Sequence, residues 1–375
     1  MSLLLAISIF FLPLGAFAQD EQGGAAQSFQ AEIRQIERGL CGEGGRECLR
    51  LQLRGLGGAF EGENIQATLE PQELLGSRMS ALRVGDNVIL ETQDVGGEAV
   101  YLVSDLMRGL PLLVSLGLFI ALLLWIGGKA SLRALLGLCA SFVVLFGAIL
   151  PAILAGYSPL VVSIIGAMVI MALTFLISHG WNPKMLSALG GTCISLLLTG
   201  ILAYVFTSWA RLWGQTDESA VFLLGQFPSL DTHGLLLAGI IIGALGSLDD
   251  VTISQASAVF ELKHASPRLR FAELYRSALR IGRDHIAGAI NTLVLAYAGV
   301  SLSLLLLLVA NADQESWWLL INRETFATEI MRTLAGSIGL LAAIPLTNML
   351  ASWFAEKMTA EQVAKVCHGS GHLSH

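Results

Sequence analysis

Residues 100–126 read VYLVSDLMRGLPLLVSLGLFIALLLWI, and the character of the chain changes inside them at Leu110. Before that point apolar and polar residues alternate in short runs, as half-buried strands require. After it comes an uncharged run about long enough to cross a ~30 Å hydrocarbon layer. Comparable runs recur at 134–154, 159–178, 185–210, 286–310 and 330–353, and a shorter one at 235–248. The chain is 54% hydrophobic and 14% charged, against about 25% charged in an average soluble domain. A soluble core of that size would need more polar surface to cover it. The fold class expected is an all-α transmembrane helical bundle of about seven spans, with a small β-rich extracytoplasmic N-terminal domain.

Upstream of Leu110, residues 3–17 form an apolar run, and Ala16-Phe17-Ala18 offers a small-x-small cleavage site before Gln19. Residues 1–18 are therefore expected to be a signal peptide; the missing Lys or Arg ahead of the run leaves an uncleaved anchor as the alternative. Residues 19–109 hold 15 acids and 8 bases, while the rest of the chain is balanced, so the net charge of -7 resides in this domain. An acidic domain argues against nucleic acid as a partner. Leu49, Leu51 and Leu53 alternate with polar residues, and Ile65-Ala67-Leu69, Val88-Leu90 and Val100-Leu102 repeat the period. Gly85-Asp86-Asn87 reads as a turn joining Leu82–Val84 to Val88–Leu90. A small barrel or sandwich is expected. Cys41 and Cys48 flank a Gly-rich stretch and form a disulfide or remain thiols, depending on a geometry that sequence does not supply.

Connections between the apolar runs alternate in charge. Lys129 and Arg133, then Lys184, then Lys263 to Arg283, then Lys357 and Lys365 fall on one side, whereas 155–158, 211–234 and 311–329 carry few bases and several acids. The positive-inside bias places the carboxyl terminus, with a tail over 356–375, in the cytosol and the acidic domain outside. Within the longest basic connection, Ser266 and Pro267 suit the start of an amphipathic helix over 266–283. Phe271, Leu274, Ala278 and Ile281 fall on one face, and Arg268, Arg276, Arg280 and Arg283 on another. Such a helix either lies among anionic lipid headgroups or docks on the protein's own cytosolic surface.

Chemistry concentrates at the short run 235–248, which ends in Asp249-Asp250. An ionised carboxylate in hydrocarbon costs about 2.5 kcal/mol or more, so an acid there faces protein, water or an ion. The residues after it, 251–261, read as a helix with one wet face or as the second half of a broken span, the kind of place where transporters bind ions. The bland reading is that both aspartates mark the cytosolic end of the helix. Asp284 and His285 open the sixth run, Asn291 lies one heptad beyond Asp284, and Tyr297 follows in the apolar stretch. Together Asp249, Asp250, Asp284, His285, Asn291 and Tyr297 are the candidate transport or ion-binding residues, with Asp250 and Asp284 expected as the charged centre, supported by Asn291 and Tyr297. Asp284 as a dipole partner and His285 as a solvated cap are the structural alternatives. Glu329 and Arg332 have the i, i+3 spacing of a structural ion pair. Pro151 and Pro345 predict kinks that free carbonyls. Ser187-Gly191-Ser195 and Gly239-Gly243-Ser247 predict close packing of the fourth and fifth helices. The tail offers Cys367, His368, His372 and His375, read as adventitious or disordered, so no metal site is assigned. No phosphate loop, H-E-x-x-H or G-x-S-x-G occurs, so an enzyme, a nucleotide and a cofactor are not expected.

Gly243-Ala244-Leu245-Gly246, Asp250-Val251, Ser254 and Glu261-Leu262 resemble the signature of the YibE/F family of bacterial membrane proteins. Gly282-Arg283-Asp284, Asn291-Thr292-Leu293, Leu295 to Gly299, Glu329-Ile330, Arg332-Thr333-Leu334 and Gly336-Ser337 continue the resemblance in register. It covers roughly residues 80–355 and implies a multi-pass protein of the bacterial plasma membrane, with its membrane domain over 110–355. Asp249 departs from the pattern, where an apolar residue is expected. The resemblance implies no substrate. Two functions stay open: a secondary transporter or channel-like permease for a small ion or solute, and a membrane scaffold or accessory subunit that presents its outer domain to a protein partner or a second copy.

Overall fold

The computed structural model describes residues 28–41, 46–57, 60–69, 82–95, 98–215 and 218–368. The signal segment 1–18 and the histidines at 372 and 375 lie outside them. The chain divides between Ile126 and Gly127 into two compact units.

The first unit carries a five-stranded antiparallel sheet in the order β3-β2-β1-β4-β5, made of β1 (Ser28–Cys41), β2 (Arg46–Gly55), β3 (Asn64–Leu69), β4 (Asn87–Val95) and β5 (Glu98–Leu106). The alternation read from sequence sets its inner face: Leu49, Leu51 and Leu53 of β2, Ile65, Ala67 and Leu69 of β3, and Val88 and Leu90 of β4 are all buried. On β5 the expectation is off by one. Tyr101 and Val103 pack on the core while Val100 is exposed, and a one-residue slip exchanges the faces of a strand. Residues 82–84 are not a strand; the turn at Gly85 (φ 96) is closed by Asp86 Oδ2, which accepts from the Arg83 N–H at 2.8 Å. Phe29 stacks on Phe60 at 4.3 Å, and Tyr101 meets both edge-on. Cys48 is in a disulfide; the side chain of Cys41 lies outside the described residues.

Helices follow. They are α1 (Gly109–Leu154), α2 (Pro159–His179), α3 (Pro183–Trp209), α4 (Glu218–Gln226), α5 (Thr232–Ala265), α6 (Phe271–Val300), α7 (Leu302–Ala310), α8 (Trp317–Ile321), α9 (Glu324–Glu356) and α10 (Ala360–His368). Among the described residues, α1, α2, α3, α5 and α9 are long and apolar enough to cross a membrane, and α6 with α7 adds a sixth if that pair, bent by 71°, is one span. Inside α1, Gly128 has φ 54 and ψ -131, which separates two helical runs. A π turn over Leu145–Ile149 precedes Pro151, whose missing N–H interrupts the ordinary ladder.

Glycines set the packing of the bundle. A side chain on Gly191 would collide with Thr347, and one on Gly339 with Thr199, so α3 and α9 run antiparallel in close contact. Gly336 faces Ala244, and Gln255 pairs with Asn348, so α5 and α9 run parallel. Gly243 abuts Tyr297 and Gly282 abuts Gln255, which makes α6 antiparallel to both. The stripe Ser187-Gly191-Ser195 thus serves the last helix as well as α5. Gly243 of the stripe Gly239-Gly243-Ser247 meets α6, not α3, which corrects the pairing expected for it.

Two expected elements change. The segment after Ala265 is a turn, with the Ser266 N–H bonded to Leu262 O at 2.9 Å, so Ser266 closes α5 instead of opening a helix. The amphipathic segment expected at 266–283 begins at Phe271 and runs unbroken into the sixth span as α6. Glu273 fixes that start by accepting from the Arg270 N–H at 3.0 Å. Leu274 and Ala278 are buried in the bundle core, while Arg268, Arg276, Arg280 and Arg283 are exposed.

Candidate functional site

The shorter run 235–248 is neither an end nor a broken half. It belongs to α5, an unbroken helix of 34 residues, about 50 Å long at 1.5 Å per residue. Asp231 caps its start, Oδ1 accepting from the Gly234 N–H at 2.8 Å. Asp249 and Asp250 therefore sit near mid-helix, which overturns the reading that they mark its cytosolic end. Successive residues on a helix point about 100° apart, so the two acids have different surroundings. Asp250 shares an exposed stripe with Gly239, Gly243 and Gly246. Asp249 is turned inward, and its Oδ1 is out of solvent contact with no hydrogen-bond partner among the described residues.

Next to Asp249 runs a buried polar seam among α3, α5 and α9. Thr192 and Thr252 share a hydrogen bond of 2.6 Å, and the Asn348 amide donates to Gln255 Oε1 at 3.2 Å. Thr192, Thr252 and Asn348 are 0% exposed and Gln255 2%. Sequence reasoning gave these four no role, because Thr192 and Asn348 are single neutral residues in apolar runs and Thr252 and Gln255 are neutral members of the mixed stretch 251–261. The available signal was position: Gln255 lies six residues beyond Asp249, and Asn348 follows Pro345 by three.

A second cluster forms where α6 ends. Ser301 interrupts the helix and donates to Glu329 Oε2 at 3.0 Å, and Arg332 reaches Glu329 Oε1 at 3.4 Å. The ion pair anticipated for Glu329 and Arg332 is thus present. Tyr297 joins them, lining with Ser301, Glu329 and Thr333 a largely apolar cavity of about 230 Å³. Asp284, His285 and Asn291 are exposed. Asp284 and Asn291 do share a stripe, but helical geometry puts it opposite the buried Gly282 and Leu293. Tyr297 is therefore gathered with Glu329 and Arg332, and Asp284 is not gathered with Asp249.

At the end of the bundle where α5 stops and α3 and α6 start, charges meet the last helices. Lys263 Nζ donates to Leu269 O at 2.7 Å, and the Phe271 N–H to Glu356 Oε1 at 3.1 Å. Cys367 of α10 is hydrogen-bonded to Glu261; burial first and then Glu261 push its thiol up to about 11. At the opposite end Glu324 Oε1 accepts from the Trp213 and Gly214 N–H groups, at 2.6 and 3.1 Å, and Thr207 pairs with His233 at 2.9 Å. No group of three metal-ligating side chains occurs among the described residues.

Residues 115–357 match the model of the family described as YibE/F-like protein. The chain belongs to the YibE/F family. No curated protein and no solved structure matches it. The YibE/F segment begins within α1 and ends one residue past α9, so it is shorter at its start than the 80–355 expected and leaves the β-sheet and α10 outside. Asp249, the buried seam and the Tyr297–Glu329 cluster all lie within it. Family and apolar helices together make this a membrane protein.

Proposed function

We propose that this YibE/F chain is a secondary transporter or channel-like permease for a small ion or solute, with Asp249 at its centre. One observation carries the reading: a carboxylate oxygen near the middle of a long apolar helix, shut off from solvent and without a hydrogen-bond partner among the described residues. In a bilayer such an oxygen needs a counter-charge, and a mobile cation or proton is the partner that leaves no fixed group beside it. Asp250 lies on the adjoining face with Gly246, which leaves room along the helix. The break at Gly128 supports counting α1 as two spans, and the bent pair α6–α7 as one, which makes seven. The bias of Lys and Arg supports a cytosolic carboxyl terminus, an outer acidic domain and anionic headgroups around Arg268, Arg276, Arg280 and Arg283.

The test is ion and proton flux into proteoliposomes under imposed gradients. Wild type and Asp284→Asn should conduct, and Asp249→Asn should lose tenfold or more. Full flux through a correctly folded Asp249→Asn overturns the assignment. Absence of flux in folded wild type over a broad panel of ions transfers the case to an accessory subunit.

A further inference from the structure

We propose a second site, distinct from Asp249: a buried alkali-cation site on α9 at its contact with α5, formed by the side-chain oxygens of Asn348, Ser352 and Gln255. Polar atoms out of contact with water are nearly always hydrogen-bonded, and each exception asks for a water or an ion. Asn348 Oδ1 and Ser352 Oγ are both buried without a partner among the described residues, on side chains that are 0% exposed. They lie four residues apart and so share one face of the helix. Gln255 brings a further oxygen to Asn348 from α5, at 3.2 Å. Gly282 lets α6 close over that amide, because a side chain there would stand 2.7 Å from Gln255 Oε1.

The donors select the ligand class. All three are neutral oxygens, so an anion is repelled. A calcium-like dication would lack the carboxylates that offset its charge, and a transition metal would lack nitrogen or sulfur. A monovalent cation of the alkali series suits neutral carbonyl and hydroxyl oxygens, and at this depth it would replace its hydration shell with them. The site does not depend on the chain transporting anything, because a tightly held structural ion would satisfy the same atoms.

Thermal unfolding of the full chain in detergent, in lithium, sodium, potassium or choline chloride at matched ionic strength, tests it. One alkali cation should raise Tm saturably over choline, and Asn348→Ala should abolish that rise. Ser352→Ala, a smaller change that should fold, should weaken half-saturation tenfold or more. Asp249→Asn should keep the response, which separates this site from the proposed transport centre. Equal Tm in all four salts means that water fills the space and overturns the proposal. So does a response undiminished in Ser352→Ala, or a larger one to calcium or magnesium.

Discussion

Asp249 and Asp250 are chemically identical neighbours that the helix sends in different directions, one inward with an oxygen that has no hydrogen-bond partner among the described residues and one to an exposed face. Their substitutions should therefore separate. Asp249→Asn keeps the shape of the side chain and removes its charge demand, so it should raise stability while flux falls; parallel Tm and flux measurements check this. Asn348→Leu should behave in the opposite sense. It strands Gln255 Oε1 in the core, at a cost of about 1–2 kcal/mol, read from unfolding in detergent. Cys367 makes a pH prediction. Its thiol is raised from 9.0 to about 11. A folded value above the unfolded one stabilises the fold below the unfolded pKa, and that stability is lost as pH rises between the two. Iodoacetamide should modify Cys367 slowly at pH 8, with a rate climbing about tenfold per pH unit until near 11. Glu261→Gln should lower that midpoint only in part, because burial is the larger cause.

At the level of elements, the glycines of α3 and α9 hold the bundle together. Gly191→Leu or Gly339→Leu would drive a branched side chain into Thr347 or Thr199 and part the two helices. Each should cost about 3 kcal/mol or more, seen as lost folded yield and lower Tm, whereas Gly239→Leu, with open space around it, should be tolerated. The same elements show what a sequence reveals. Apolar length located the long apolar helices, although the runs 110–126 and 134–154 fall in one helix interrupted at Gly128 and 286–310 in a bent pair, and alternation located the inner faces of β2, β3 and β4, since both are local properties. The middle position of Asp249-Asp250 was hidden, because 251–261 mixes small polar with apolar residues and only packing against α3 and α9 makes that stretch a buried helix. Gln255 and Asn348 stayed invisible for a related reason. Their meaning lies in each other, and they are separated by 93 positions. Ser266 misled because a serine before a proline looks like a helix start, and the cap came from Glu273 instead.

For the molecule as a whole, the alternating directions of α2, α3, α5, α6 and α9 gather Lys184, Lys263, Arg268 and Lys357 at one end of the bundle. Single cysteines placed at Gly156 and at Pro267 should accordingly label from opposite faces of intact membrane vesicles with an impermeant maleimide. Labelling of both from one face would refute the topology. The division at Ile126 and Gly127 also predicts that limited proteolysis leaves the bundle intact after the sheet has been digested. A last consequence concerns time. The partner of α3 over much of its length is α9, and Thr199 meets Gly339, so about 140 residues must be synthesised before that contact exists, roughly 7–30 s of translation. Through that interval α3 lacks α9, although Thr192 can already meet Thr252 of α5. Ser187, Thr192, Ser195 and Thr199 each bond a carbonyl one turn back in their own helix, at 2.7–3.0 Å. The half-made chain can therefore wait in lipid with its hydroxyls already satisfied, and what stays unfinished is only the fit of glycine to threonine, which a membrane protease could recognise in any copy truncated before α9.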